Sequence, residues 1–307
     1  MLSNNSENIR MYMKKALILL TAFAMFGLGL GACGTSENNT KTEEENTKSV
    51  YRTLDEIKDS GVLKVGVFSD KSPFGYIGED GEYTGYDVYY ANQLAEDLGV
   101  EIEFTPIDAA ARVSSLESGI VDVMLANFTV TTDRIKKVSF AYPYMKVSLG
   151  ITVPSSSHVD SIEEFSGVLV VVKGTTAETF LEINHPDLYA KALKLEQYSE
   201  VQSALLDGRA DGWITDNTEA IMFANKSEGK FVTTPELSSI GKPDTIAPAV
   251  SKGNTTLQEY INEHVERLTL EGFFAEDYDA TLVEFYGEDF KNELLIDISD
   301  LDEYILD

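Results

Sequence analysis

"VDVMLANFTVTTDR" (residues 121–134) runs from an apolar stretch straight into three threonines and an arginine. The apolar part follows Gly119, which closes the short helical stretch "RVSSLESG", and it reads as a strand. Beyond its end, Thr129, Thr131 and Thr132 are short hydrogen-bonding groups, and Arg134 is a rigid, permanently charged fork. Together they suit a small carboxylate. The competing reading is a plain helix start, with Thr132 or Asp133 as N-cap and Arg134 solvated. The surrounding chain has to decide between them.

Working outward, strands and helices alternate. "VLKVGVF" (residues 62–68) is a short buried strand. Asp87 is placed to cap a helix carrying Val88, Ala91, Leu94, Ala95 and Leu98, closed by Gly99. "VEIEFT" alternates as a strand, with Val100, Ile102 and Phe104 on one face. The pattern restarts near Val147: "VSLGITV" and "VLVVV" are strands, and Ser161 with Glu164 forms a capping box between them. Ser199 with Gln202 caps a further helix before the strand "ADGWITD", and "TIAPAVS" is a strand again. Residues 255–272 form a long amphipathic helix with Leu257, Ile261, Val265 and Leu268 inward. Strands separated by helices mean parallel sheets with helices on both faces, and the restart means two α/β lobes. Ligands of such sheets sit beyond the carboxyl ends of strands. That makes Phe68 to Lys71, Asn127 to Thr129, Lys173 to Thr176 and Thr215 to Asn217 candidate site positions, and it favours the ligand reading of Arg134.

The chain of 307 residues is long enough for one large domain or two ordinary ones. Its formal charge of −28 argues against nucleic acid and against anionic membrane surfaces as partners. "MKKALILLTAFAMFGLGLGACG" (residues 13–34) sets Lys14 and Lys15 before an apolar stretch too short for a comfortable membrane span, ending Leu30-Gly31-Ala32-Cys33. It resembles a bacterial lipoprotein signal, in which residues 1–32 are removed and Cys33 becomes the lipidated first residue. Cys33 is the single cysteine of the chain, so the exported part forms no internal disulfide. Residues 33–52 are polar and read as a flexible tether. The glycines at 29, 31 and 34 match a dinucleotide fingerprint, but they follow no strand and open no helix. No metal-binding or nucleophile spacing involves His158, His185 or His264, so neither cofactor nor metal is expected, and no enzyme.

Four stretches in order, "PFGYIGEDGEYTGYDVYYANQLAEDLG", "RVSSLESGIVDVMLANFTVTTDRIKKVSFAYPYM", "VVVKGTTAETF" and "DGRADGWITDN", resemble the polar amino-acid family of ABC-transporter substrate-binding proteins, the extracellular solute-binding proteins of family 3. The likeness covers residues 53–290. Within it, "VFSDKSPFGY", "LANFTVTTDR", "KGTTAETF", "NHPDL" and "TIAPAVSKGN" look most like the cysteine- and cystine-binding branch. The resemblance implies a type II periplasmic-binding-protein fold, each lobe a parallel-rich sheet flanked by helices, hinged by two crossing strands. Lobe 1 is expected over 53–147 plus 249–307, and lobe 2 over 148–248.

It also implies roles. Arg134 pairs with the ligand's α-carboxylate and Asp216 with its α-ammonium. Asn127, Thr129, Thr175 and Thr176 add hydrogen bonds, and Phe68 with Phe74 covers the side chain. Thr175 also has the spacing to cap its own helix through Glu178, which leaves Thr176 the freer hydroxyl. Lys71 and Arg112 stand where they can reach the ligand side chain, although such residues more often face solvent. Glutamine-type members commonly carry an aspartate at 68 and an aromatic at 109; Phe68 and Ala109 depart from that. The expectation is an extracytoplasmic, lipid-anchored monomer that captures a polar amino acid, L-cysteine or cystine first, for a permease and its ATPase. Glutamine, glutamate or aspartate as ligand, a sensory lipoprotein, and a dehydratase-like enzyme are the alternatives.

Overall fold

The structure is a computed structural model that describes residues 49–304. The signal, Cys33 and most of the expected tether lie outside the described residues. Inside them, the last tether residues are already docked: Tyr51 donates to the Gly253 carbonyl, and the Arg52 guanidinium pairs with the buried Asp122 carboxylate. No helix among the described residues is long and apolar enough to cross a membrane.

Seven strands come first: β1 (Val62–Val67), β2 (Asp70–Lys71), β3 (Gly75–Ile77), β4 (Tyr83–Thr84), β5 (Glu101–Pro106), β6 (Val123–Met124) and β7 (Val138–Phe140). Then follow β8 (Met145–Pro154), β9 (Leu169–Val172), β10 (Leu193–Leu195), β11 (Gly212–Asp216), β12 (Phe231–Val232), β13 (Ile240–Ile246) and β14 (Ala249–Ser251). One sheet has the order β5-β1-β6-β14-β7 and the other β10-β9-β11-β8-β12, with β13 also on β8; β2, β3 and β4 make a small third sheet. β1 is parallel to β5 and β6, and β9 to β10 and β11, while β8 and β14 pair antiparallel with their neighbours. The α/β alternation therefore yields mixed sheets, parallel where helices make the crossovers. β9, all valine and leucine, is buried along its whole length, as a strand covered on both faces must be.

The chain passes between the two sheets twice, side by side. One passage joins β7 to β8 and the other joins β13 to β14, and they are held together by Ala141 N–H to Pro248 O (2.9 Å) and Tyr144 N–H to Ile246 O (3.0 Å). "TIAPAVS" is accordingly not one strand. It breaks at Ala247 and Pro248, where the proline has no N–H for a ladder, and the break carries the chain from one sheet to the other.

Other local expectations change in the same way. Only Val123–Met124 of "VDVMLAN" is strand, because the chain then turns outward through Asn127, whose φ is 44°. Gly85, not Asp87, caps the helix Tyr86–Leu98. Gln197 with Glu200, rather than Ser199 with Gln202, caps the helix Tyr198–Leu206. Ser161 precedes a single 3-10 turn without a side-chain cap. The helix Thr255–Glu271 is as expected, with Leu257, Ile261, Val265 and Leu268 buried and Gly272 left-handed at its end. His264 on that helix is buried and its Nε2 lies 2.9 Å from Asp97. Beyond it, the C-terminal segment touches both halves: Leu294 joins the core around β1, while the Phe285 carbonyl accepts from Asn225 next to β12.

Candidate functional site

The carboxyl ends of β1, β6, β9 and β11 converge where the two sheets face each other. An apolar cluster is continuous across them: Phe68 and Phe128 from one side meet Tyr198 and Trp213 from the other, with the Phe68 and Tyr198 rings edge-on at 5.4 Å. Polar groups bridge the same gap. Ser199 N–H donates to Asp70 at 3.1 Å, and the Gly174 carbonyl accepts from both Arg112 (3.1 Å) and Arg134 (2.9 Å). A Cβ on Gly174 would meet the Ala110 backbone at 2.4 Å, so the two sides approach as closely as a glycine permits.

Asn127 organises the centre. Its left-handed backbone points its N–H at the Asp87 carboxylate (2.6 Å) and its carbonyl at Arg112 Nη1 (3.0 Å), while its side-chain oxygen accepts from Lys71. Asparagine tolerates this conformation better than most residues. Its amide nitrogen is buried without a hydrogen-bond partner among the described residues.

Lys71 is the largest departure from expectation. Residues of its type usually face solvent, yet it is only 2% exposed. Its ammonium lies 3.0 Å from Asp216 Oδ2 and 3.1 Å from Glu219 Oε1, over the Phe68, Phe74 and Tyr198 rings. Burial alone would depress it, but Glu219, Tyr198 and Asp216 together raise it above the ordinary lysine value, so it stays charged. Glu219 answers with a carboxyl raised to about 7, by burial first and against the pull of Lys71.

Arg112 is also buried. Four carbonyls, of Ala109, Ala126, Asn127 and Gly174, accept its donors, and burial lowers its pKa. Arg134 reaches back from its short helix to the Thr129 carbonyl (2.7 Å) and to Gly174. Both guanidiniums lie over the Phe128 ring, at 4.7 and 4.8 Å. Burial, then the neighbouring Arg112, lowers Arg134 to about 9. Two guanidiniums satisfied only by carbonyls, each depressed by desolvation, form a place where an anion is stabilised. The two readings of "TTDR" thus coexist. Thr131, not Thr132 or Asp133, caps the helix Thr132–Ile135, and Arg134 is half-buried, its guanidinium turned to the Thr129 and Gly174 carbonyls.

The remaining candidates divide. Thr129 is buried beside Ile246 at the passage between the sheets. The Thr175 hydroxyl donates to Val172 O and accepts from Glu178 N–H, so it is used by its own helix. Thr176 is the half-buried first residue of that helix. Phe68 lies under Arg112 and Lys71, whereas Phe74 belongs to the core around β1, edge-on to Tyr86. Asp87, Glu219 and Tyr198 were absent from the expected set. Asp87 looked like a helix cap and is instead a buried acceptor, taking the Tyr144 hydroxyl at 2.5 Å, its carboxyl raised to about 6 by burial. Glu219 had one local signal, its position one helical turn after Asp216. Among the described residues no group of three or more His, Cys, Asp or Glu is placed to hold a metal ion.

Comparison with known proteins adds to this geometry. The model of the family described as bacterial extracellular solute-binding proteins, family 3, matches residues 63–281. The crystal structure of a cysteine-binding protein from Campylobacter jejuni is 40% identical, covers 80% of this chain and 98% of that one, and superposes with a TM-score of 0.76. The solute receptor for L-cysteine of Neisseria gonorrhoeae is 39% identical, covers 80% of this chain and 100% of its own, and also has a TM-score of 0.76. The ABC transporter glutamine-binding protein GlnH of Bacillus subtilis is 31% identical, over 89% of this chain and 98% of its own. With two facing sheets joined by paired passages, and charged groups gathered at the strand ends between them, the chain belongs to family 3 of the bacterial extracellular solute-binding proteins.

Proposed function

We propose that this protein captures a small, uncharged-side-chain L-amino acid, L-cysteine first, outside the cytoplasm and delivers it to the permease and ATPase of an ABC transporter. It does so as a monomer held at the membrane by lipid on Cys33. The observation that carries the reading is the placement of Arg134, after β6, and Asp216, at the end of β11, on opposite sides of the gap that the Arg134–Gly174 and Lys71–Asp216 contacts bridge. Arg134 receives the α-carboxylate as a fork, and the Asp216 carboxylate accepts from the α-ammonium while it also accepts from Lys71.

The energetics support charge as the main grip. L-cysteine has about seven heavy atoms, so ~10 kcal/mol is a ceiling for its binding, and micromolar affinity already requires about 8. A thiol and one methylene supply little of that. A dry cleft that pairs both ends of a zwitterion supplies the rest, provided neither end is left unpaired. The likeness to two cysteine-binding structures at 39–40% identity supports L-cysteine ahead of glutamine. The test is calorimetry of the detergent-solubilised full-length protein against the common amino acids and cystine. Micromolar or tighter binding of L-cysteine is expected; tighter binding of glutamine would reassign the ligand, and no binding of any amino acid would refute the reading.

A further inference from the structure

We propose that Glu219 decides which amino acids the cleft accepts: as a buried counter-charge of Lys71, beside Asp216, it leaves no unmatched cation for a ligand side chain, so that only a side chain without net charge is admitted. This deepens the amino-acid reading above and rests on it. Five charged residues of the site are buried, the cations Lys71 and Arg112 and the acids Asp87, Glu219 and Asp216, the last the least deeply. Four of them, all but Asp216, balance as two pairs, although Lys71 also lies 3.0 Å from Asp216. Lys71 and Glu219 are 3.1 Å apart, and Arg112 and Asp87 are joined through the Asn127 peptide, whose carbonyl accepts from one and whose N–H donates to the other.

The two groups left are the more accessible ones. Asp216 has a side-chain exposure of 10% against 1% for Glu219, and Arg134 is half-buried where Arg112 is buried. The division of labour between the two acids follows from the helix Asn217–Lys226. Asp216 precedes it as N-cap, at the mouth of the strand. Glu219 lies one turn in, where the helix dipole favours an acid and Thr215 donates a further hydrogen bond at 3.3 Å.

A side-chain carboxylate entering this site would be a desolvated charge without a partner. Lys71 is the cation it would need, and Asp216 together with Glu219, ionised above about pH 7, already neutralises it. A side-chain ammonium meets the converse problem, since Lys71 already stands between the acids. A zwitterion with an uncharged side chain adds one charge of each sign, and the balance holds.

The experiment is calorimetry of the full-length protein in detergent with L-cysteine, L-asparagine, L-aspartate and L-2,4-diaminobutyrate, ligands of comparable small size. In Glu219→Gln the surplus Lys71 charge should improve L-aspartate relative to L-cysteine by at least tenfold. In Lys71→Met the surplus acid should improve L-2,4-diaminobutyrate relative to L-cysteine by at least tenfold. The double variant should return both ratios to within about threefold of the parent. Circular dichroism identifies any variant that does not fold, and either single variant then decides the question. If the parent binds L-cysteine but the ratio improves by less than tenfold in a folded single variant, Glu219 is not a determinant and this inference alone falls. If the parent binds none of the four, the amino-acid reading fails and takes this inference with it.

Discussion

Lys71 Nζ lies 3.0 Å from Asp216 Oδ2, an ion pair that joins the two-residue strand β2 on one side of the cleft to the end of β11 on the other. The acid proposed to receive a ligand's ammonium therefore already carries one from the protein. On that proposal a ligand would not meet a naked carboxylate but would enter an existing network, in which Glu219 and Asn127 also hold Lys71.

Removing either end of the proposed zwitterion grip should be costly. In Asp216→Asn or Arg134→Met a ligand charge is left desolvated and unpaired, at about 3–5 kcal/mol. At ~1.4 kcal/mol per factor of ten, affinity should fall roughly 100- to 3,000-fold. Arg134→Lys should recover little, because a point charge cannot bridge the carboxylate as a fork does. Arg209→Met, at an exposed residue, should leave affinity unchanged. Calorimetry on folded proteins checks all four, and an Asp216→Asn variant binding within threefold of the parent would contradict the assignment.

Closure should depend on Gly174. Its φ is +76°, and an added Cβ would press on the Ala110 backbone across the cleft. Gly174→Ala should weaken ligand binding at least tenfold, corresponding to ~1.4 kcal/mol, while the separate lobes stay folded. Solution scattering should then register less compaction on adding saturating ligand than in the parent. Equal compaction and equal affinity would mean that the close approach at Ala110 is not needed for binding.

The buried acids set a pH dependence with a definite sign. Burial raises Glu219 from 4.5 to about 7 and Asp87 from 3.8 to about 6. A raised carboxyl keeps its proton in the folded state at a pH where the unfolded chain has lost it. These two groups therefore add stability as pH falls through about 7 and about 6 towards their unfolded values. His264, lowered chiefly by burial, acts the other way, losing stability as pH falls below 6.5. Glu219→Gln removes one titrating group and leaves the others. Between about pH 7.5 and about pH 5, its Tm without ligand should gain less, or lose more, than that of the parent. Parallel Tm profiles for the two proteins would show that Glu219 does not titrate in this range.

Lipid attachment has a simple test, because Cys33 is the single thiol of the chain. Cys33→Ser should abolish incorporation of labelled fatty acid and release the protein from membranes, without changing ligand affinity. Continued labelling would place the modification elsewhere.

What the sequence determined by itself was local in origin. Repeating turns of apolar residues marked the long helix Thr255–Glu271, and Gly99 and Gly272 marked helix ends, because periodicity and left-handed glycines depend on a few neighbours only. The position of Arg134 just past an apolar run, and of Asp216 at the end of another, placed both at strand ends in an alternating α/β chain. The tertiary structure alone decided which charges are buried. Lys71 sits in a two-residue strand with no periodic pattern, and its burial comes from Phe68, Phe74 and Tyr198, the last more than a hundred residues away, closing over it. Asp87 looked like a cap because its role depends on Tyr144 and on the turned backbone of Asn127, neither of which is near it in sequence. The break at Pro248 belongs with these, since a passage between sheets exists only once there are two sheets to join. A charge's cost and worth depend on what excludes water from it, and that is a property of the assembled fold rather than of any stretch of chain.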